Sequence, residues 1–237
     1  MLADFHNHSC LSPCASLEMS PRLLARKAAK AGVQLMALTD HNAARNTPAF
    51  FAACHEVGIT PLAGLEITTA EECHVLAIFD NTKDALAMEK WVWNALPKVP
   101  LDIEVFGDQP VVDADENIVE MIDFLLTVAI KYSLYEVQQE VCRRGGLFIP
   151  EHINRPSFSV ESQLGFLPPG NYDAIEVLAH AAKAYQARYP EVPVITSSDA
   201  HAAEQIARYP FSLQTKSTSI SSIRKALQKR CHKPEDD

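Results

Sequence analysis

No run of apolar residues in this chain approaches the roughly 20 that a membrane-spanning helix needs, so a membrane partner is not expected. The opening MLADFHNH lacks both the basic stretch and the apolar core of a secretory signal. Six cysteines (Cys10, Cys14, Cys54, Cys73, Cys142, Cys231) are thinly spread, which favours free thiols and a cytoplasmic location over a disulfide scaffold. Basic charge is also short: 21 Lys and Arg stand against 30 Asp and Glu, a formal net charge of −9. A dedicated duplex-DNA binder usually presents a basic face, so duplex DNA is not an expected partner. A small phosphorylated substrate remains compatible, because bound cations can override the global field locally. Internal repeats and low-complexity segments are absent too.

What is present is an ordinary globular composition, 47% hydrophobic and 22% charged, in a chain long enough for one well-filled core. Apolar strand-like runs alternate with amphipathic helices. Leu2–Phe5, Val33–Asp40, Ile59–Glu66, Cys73–Phe79, Leu147–His152, Asp173–Leu178 and Val192–His201 read as strands. Ser20-Pro21 and Thr47-Pro48 start helices that Gly32 and Gly58 stop. Tyr132–Arg144, Ala181–Tyr189 and Ile220–Arg230 read as further helices, and the last seven residues as a solvated tail. This rhythm is that of parallel β/α units in a single domain over 1–237. It breaks at about 83–131, a Pro- and Asp-rich region expected to be an insertion that caps the barrel.

Polar residues gather at the ends of these strands. His6 and His8 point the same way in extended chain, because side chains alternate with period two. His41, Glu66, His74, His152, Asp199 and His201 complete a set of eight nitrogen or oxygen ligands, expected to converge on one barrel face. Left unpaired there, such groups would cost several kcal/mol in desolvation and repulsion. Imidazole with carboxylate suits zinc, manganese or iron, and eight ligands suit two or three divalent ions sharing a bridging carboxylate. Paired ions lower the pKa of a bridging water and clamp the oxygens of an in-line phosphoryl displacement. His55, His180 and His232 fit no such pattern and read as structural or surface residues.

Taken in order, DFHNHS (4–9), LTDHN (38–42), GLE (64–66), CH (73–74), PEH (150–152) and SDAH (198–201) resemble the PHP (polymerase and histidinol phosphatase) family. The resemblance implies a distorted (β/α)7 barrel and metal-dependent phosphoester hydrolysis. It implies His6, His8, Glu66 and Asp199 around a first ion, His74 and His152 with bridging Glu66 around a second, and His41 and His201 at a third. Asp40 would orient His41. Many members carry an aspartate for the third ion where this chain has Pro13. Cys14, Cys10 and Glu18 are the nearby candidates to replace it, unless the cysteines simply pack.

Arg155, three residues after His152, could grip a phosphate with its fork of donors or pair with an acid; Arg45 is a weaker candidate of the same kind. Trp91 and Trp93 suit core packing or base stacking. Arg155 and Asp40 are thus the expected catalytic supports beside the eight ligands. The expected function is hydrolysis of a small phosphomonoester or of a nucleotide or oligonucleotide phosphate. The rivals are an amidohydrolase-type C–N hydrolase, which usually adds a bridging lysine, and a non-catalytic metal-stabilised scaffold.

Overall fold

The computed structural model of the protein describes residues 1–232; the expected solvated tail beyond, and the side chains of Cys231 and His232, lie outside the described residues. In chain order the elements are β1 (Leu2–Asp4), α1 (Pro21–Lys30), β2 (Leu35–Leu38), α2 (Thr47–Val57), β3 (Thr60–Thr68) and β4 (His74–Phe79). There follow α3 (Thr82–Ala95), the single turn α4 (Ile103–Phe106), the hairpin β5 (Pro110–Val112) and β6 (Ile118–Met121), then α5 (Leu134–Arg143) and β7 (Leu147–Pro150). The chain continues through α6 (Val160–Leu164), β8 (Ile175–Glu176), α7 (Ala182–Arg188), β9 (Val194–Ile195), β10 (Phe211–Ser212) and α8 (Ile220–Gln228). Among the described residues no helix is long and apolar enough to cross a membrane.

Ser20 caps α1 by accepting from the Leu23 N–H and Gly58 ends α2 at φ 76°, as the sequence suggests; Ser133 with Glu136 adds a capping box on α5.

The sheet is a curled half-barrel of six strands in the order β10-β1-β2-β3-β4-β7. β1, β2 and β3 are parallel, but β4 runs antiparallel to both β3 and β7, and β10 antiparallel to β1. The expectation of uniformly parallel units in a seven-stranded barrel is corrected on this point. The reason is length. Only residues 69–73 separate β3 from β4, whereas a parallel crossover needs about a dozen residues or more.

The separate parallel pair β8–β9 is tied to the sheet on both sides. Asp173 N donates to Phe148 O (3.1 Å) on one, and His8 N to Ala200 O (3.0 Å) on the other.

Period-two alternation divides the strand residues between two faces. Leu35, Ala37, Leu62, Leu76 and Ile78 fill the inside of the curl with Ile149 and the apolar face of α8. Met36 and Leu38 pack outward against α1 and α2. Ala63, Leu65, Val75 and Ala77 pack with α3, α5 and the 111–130 stretch. The carboxyl ends of β1, β2, β3 and β7 and the amino end of β4 therefore open on one rim.

Candidate metal centre

Each strand delivers its polar residues to that rim. β1 leads into His6 and His8, with Asn7 between them turned into the backbone, its side-chain amide donating to Ala37 O (3.3 Å). β2 leads into Asp40 and His41, and β3 carries Glu66. Gly64 lets β3 approach closely: a Cβ there would lie 2.8 Å from Ala77 O and 2.9 Å from a Thr39 methyl. His74 begins β4 rather than ending it. It reaches the rim because the strand is reversed. His152 follows β7, and Asp199 and His201 follow β9.

All eight residues expected from the sequence come together, in overlapping sets whose ligand atoms lie within 4.8 Å of one another. These are His6/His8/Glu66/Asp199, Glu66/His74/Glu151/His152 and His8/His41/His201. Glu66 is the junction. Its Oε2 lies 3.0 Å from His8 Nε2, 3.1 Å from His41 Nδ1 and 3.4 Å from His6 Nε2. Its Oε1 contacts His74 Nδ1 and lies 3.8 Å from His152 Nε2. Asp199 Oδ1 is 3.3 Å from both His6 Nε2 and His8 Nε2.

Two buried carboxylates were missed by sequence reasoning, Glu151 and Glu176. Glu151 Oε2 sits 2.8 Å from His6 Nδ1, and Glu176 Oε1 accepts from that nitrogen at 3.1 Å. A signal existed for Glu176: it is the lone charge in the apolar run Ala174–Val177, and a charged side chain buried in a strand needs a partner.

Asp40 stands outside the ligand sets. It accepts from Ser9 N (2.7 Å), Ser9 Oγ (2.7 Å) and Ser12 Oγ (2.8 Å). Since Ser12 spends its one proton on Asp40, its oxygen accepts from His41 N (3.1 Å) and from the Nδ1–H of His8 (3.0 Å). Asp40 thus acts through Ser12 on two neighbours at once, the His41 backbone N–H and the His8 ring. Asp4 plays a similar part below Asp199, accepting from Ser198 N (3.1 Å) and Ser198 Oγ (2.5 Å), and burial pushes its carboxyl up to about 6.

His152 and Asp199 both hold positive φ, 30° and 47°. Non-glycine residues rarely adopt this backbone, and it clusters at functional sites.

Burial alone would lower the His6 and His8 rings. Glu151, Asp199, Glu176 and Glu66 instead raise His6 well above its ordinary range, and Glu66 with Asp199 raises His8 to about 9. His41 is held well below its ordinary value by burial and three neighbouring histidines, and His201 falls to about 4, chiefly by burial. Glu66 is pulled well below the carboxylate range against its burial by His41, His74, His8 and His6.

Cations fit this arrangement for a specific reason. His41 Nδ1, His74 Nδ1, both ring nitrogens of His152, Glu66 Oε2, both oxygens of Glu151 and Glu176 Oε2 are buried with no hydrogen-bond partner. Close contacts without hydrogen-bond geometry leave lone pairs unused, and such groups cost several kcal/mol when buried. Imidazole and carboxylate donors of this kind could hold zinc, manganese or iron.

Of the side chains considered as replacements at Pro13, none enters a ligand set. Cys10 packs with Ala49 and Val112, and burial pushes its thiol up to about 12; Cys14 and Glu18 are exposed. Arg155 stands at the rim with Nη1 3.4 Å from Asp199 Oδ2. Arg45 is committed to Glu89 (2.7 Å) and Glu120 (3.1 Å). Trp91 stacks on Tyr132, and Trp93 donates to Asn42 O (2.8 Å) while packing edge-on to Phe124. Both tryptophans are packing residues. His55 and His180 are exposed and join none of the ligand sets.

A curled α/β sheet with a buried histidine and carboxylate cluster on its rim defines the class. The chain belongs to the PHP domain family, whose match covers residues 4–139. No curated protein matches the sequence. Among solved structures, the lesion-specific endonuclease Q of Pyrococcus furiosus is similar at 17% identity and TM-score 0.73, over 96% of this chain and 56% of that one. Endonuclease Q in complex with a 27-mer duplex bearing an abasic lesion at its active site is similar at 17% identity and TM-score 0.71, over 97% and 57%. A protein described as a metal-dependent phosphoesterase, from Bifidobacterium adolescentis, is similar at 20% identity and TM-score 0.59, over 95% of each chain. The chain thus spans just over half the length of the endonuclease Q chains it resembles.

The second of these overturns the exclusion of duplex DNA. A duplex sits at the active site of a protein with this fold, and a net charge of −9 is a sum over the whole chain that does not describe the field at one rim.

Proposed function

We propose that the protein is a metal-dependent hydrolase of phosphoester bonds, acting on a phosphomonoester or on a nucleotide or oligonucleotide phosphate. The observation that carries the reading is Glu66, a buried carboxylate with one oxygen turned to each of two donor sets. Two or three divalent ions held by His6, His8, His41, Glu66, His74, His152, Asp199 and His201 would lower the pKa of a bound water and neutralise charge on the phosphoryl oxygens. The chain's own part is positional. Ser12 and Glu176 fix the Nδ1–H of His8 and His6, leaving each Nε2 turned to Glu66 and Asp199. Arg155 at the rim suits the phosphate anion. The Asn42 side chain, next to His41, donates to Leu126 O (2.6 Å) and Val128 O (3.0 Å), which ties the end of the 83–131 segment beside the cluster.

The likeness to endonuclease Q brings DNA phosphodiesters into the substrate class. Glu66→Ala should reduce phosphoesterase turnover of manganese-loaded protein to background. Wild-type turnover in that variant at saturating manganese would sink the mechanism, and absence of bound ions in the wild type would favour the scaffold.

A further inference from the structure

The loop from His152 to Ser159 connects β7 to α6 and carries Phe158, a large apolar side chain that joins none of the hydrophobic clusters of the described residues. Phe158 holds φ 54° and is 41% exposed, a backbone suited to glycine under a ring that is only partly covered. The ring lies flat on His74, with centroids 5.0 Å apart and planes 19° from parallel. The loop is fixed around it: His74 N donates to Phe158 O (3.0 Å), Arg155 N to His152 O (2.8 Å) and Ser159 Oγ to Arg155 O (2.7 Å). The same loop brings Arg155 to Asp199. Phe158 and Arg155 therefore stand against different members of the ligand cluster, one at His74 and one at Asp199.

We infer that Phe158 is a stacking platform for a nucleobase whose adjoining phosphate lies at the rim cluster beside Arg155. Aromatic rings hold bases by face-to-face contact whatever the base, because every base has a π-face. The ligand chemistry is a base next to a phosphate, supplied by a free nucleotide or by an unpaired nucleotide of a DNA strand. The inference rests on the phosphoesterase reading for the phosphate, but it is tested by binding.

Phe158→Gly removes the ring and relieves the backbone, so the loop and the melting temperature should be kept. Calorimetric titration of manganese-loaded protein would compare adenosine 5′-O-thiomonophosphate, inorganic thiophosphate and a short single-stranded oligonucleotide with a 5′-thiophosphate. Phe158→Gly should weaken the nucleotide about tenfold, within the range for one stacked base, and leave inorganic thiophosphate unchanged, while Phe158→Tyr retains wild-type affinity. An equal loss for the oligonucleotide would identify a strand terminus as a source of the base, and a loss confined to the free nucleotide would identify the mononucleotide. Equal weakening of nucleotide and thiophosphate, or no weakening of either, would overturn the platform. A Phe158-dependent preference in a protein that hydrolyses no phosphoester would uphold the platform and defeat the hydrolase reading alone.

Discussion

The donor sets that share Glu66 are built differently. In the first, the protein holds the ligands: His6 by Glu176, His8 by Ser12 and Asp40, and the Asp199 segment by Asp4 through Ser198. In the second, both nitrogens of His152 and both oxygens of Glu151 have no hydrogen-bond partner. Hydrogen-bonded backing fixes ring orientation and raises ligand basicity before any ion arrives. The first set is therefore prepared in advance, whereas the second depends on its ion for its order. Ions should fill them in that sequence.

The comparison breaks most directly at His74. His74→Ala should remove one ion per chain, read by elemental analysis, and leave the tighter ion in place; loss of every ion would mean that the sets are not separable. Ser12→Ala tests the other side. It should weaken the tighter ion by about 10–100-fold and, by leaving the buried Asp40 short of a donor, lower stability by about 1–3 kcal/mol. Unchanged affinity in that variant would show that the backing does not matter.

The pH response sharpens the contrast. In the ion-free chain His8 is raised from 6.5 to about 9 against its burial, by Glu66 and Asp199. A raised histidine contributes stability that is fully present below about 6.5 and lost as pH rises through about 9. Proton and cation compete for the same nitrogen, so ion affinity should climb across that window with proton release. Calorimetry in buffers of different ionisation enthalpy would detect the proton, and its absence would remove His8 from the set. The smallest effect is expected at Cys14. Cys14→Ser should leave ion content unchanged, since its thiol joins no ligand set; the loss of one ion would reinstate it as the replacement for the missing acid.

Much of the rim was legible because strand ends and period-two alternation follow from local sequence. His6 and His8 share a face for that reason, and the apolar runs locate β1, β2, β3 and β7 to within a few residues. The direction of β4 was overlooked although the link 69–73 is too short for a crossover. His74 already stood at the start of the run Cys73–Phe79, and the reversal is what brings that start to the rim. Glu151 and Glu176 were not legible from motif spacing. They lie behind His6, brought there by packing between β7 and β8, and only the cost of an acid in an apolar strand hints at them. The role of Asp40 depends on a serine 28 positions away, a contact that no local pattern contains.

The reversal of β4 has a consequence for how the site can change. Thr68 pairs with His74 and Glu66 with Leu76 across an antiparallel ladder, so Glu66 and His74 share the inner face by parity. A slip of one residue would bring Cys73 or Val75 to the position of His74, and a slip of two would restore the face but shift the spacing. The distance between the bridging acid and its neighbouring imidazole is thus set by a hydrogen-bonded ruler rather than by a loop. The link from Thr69 to Cys73 is free to vary in sequence and length only while that odd–even rule is kept.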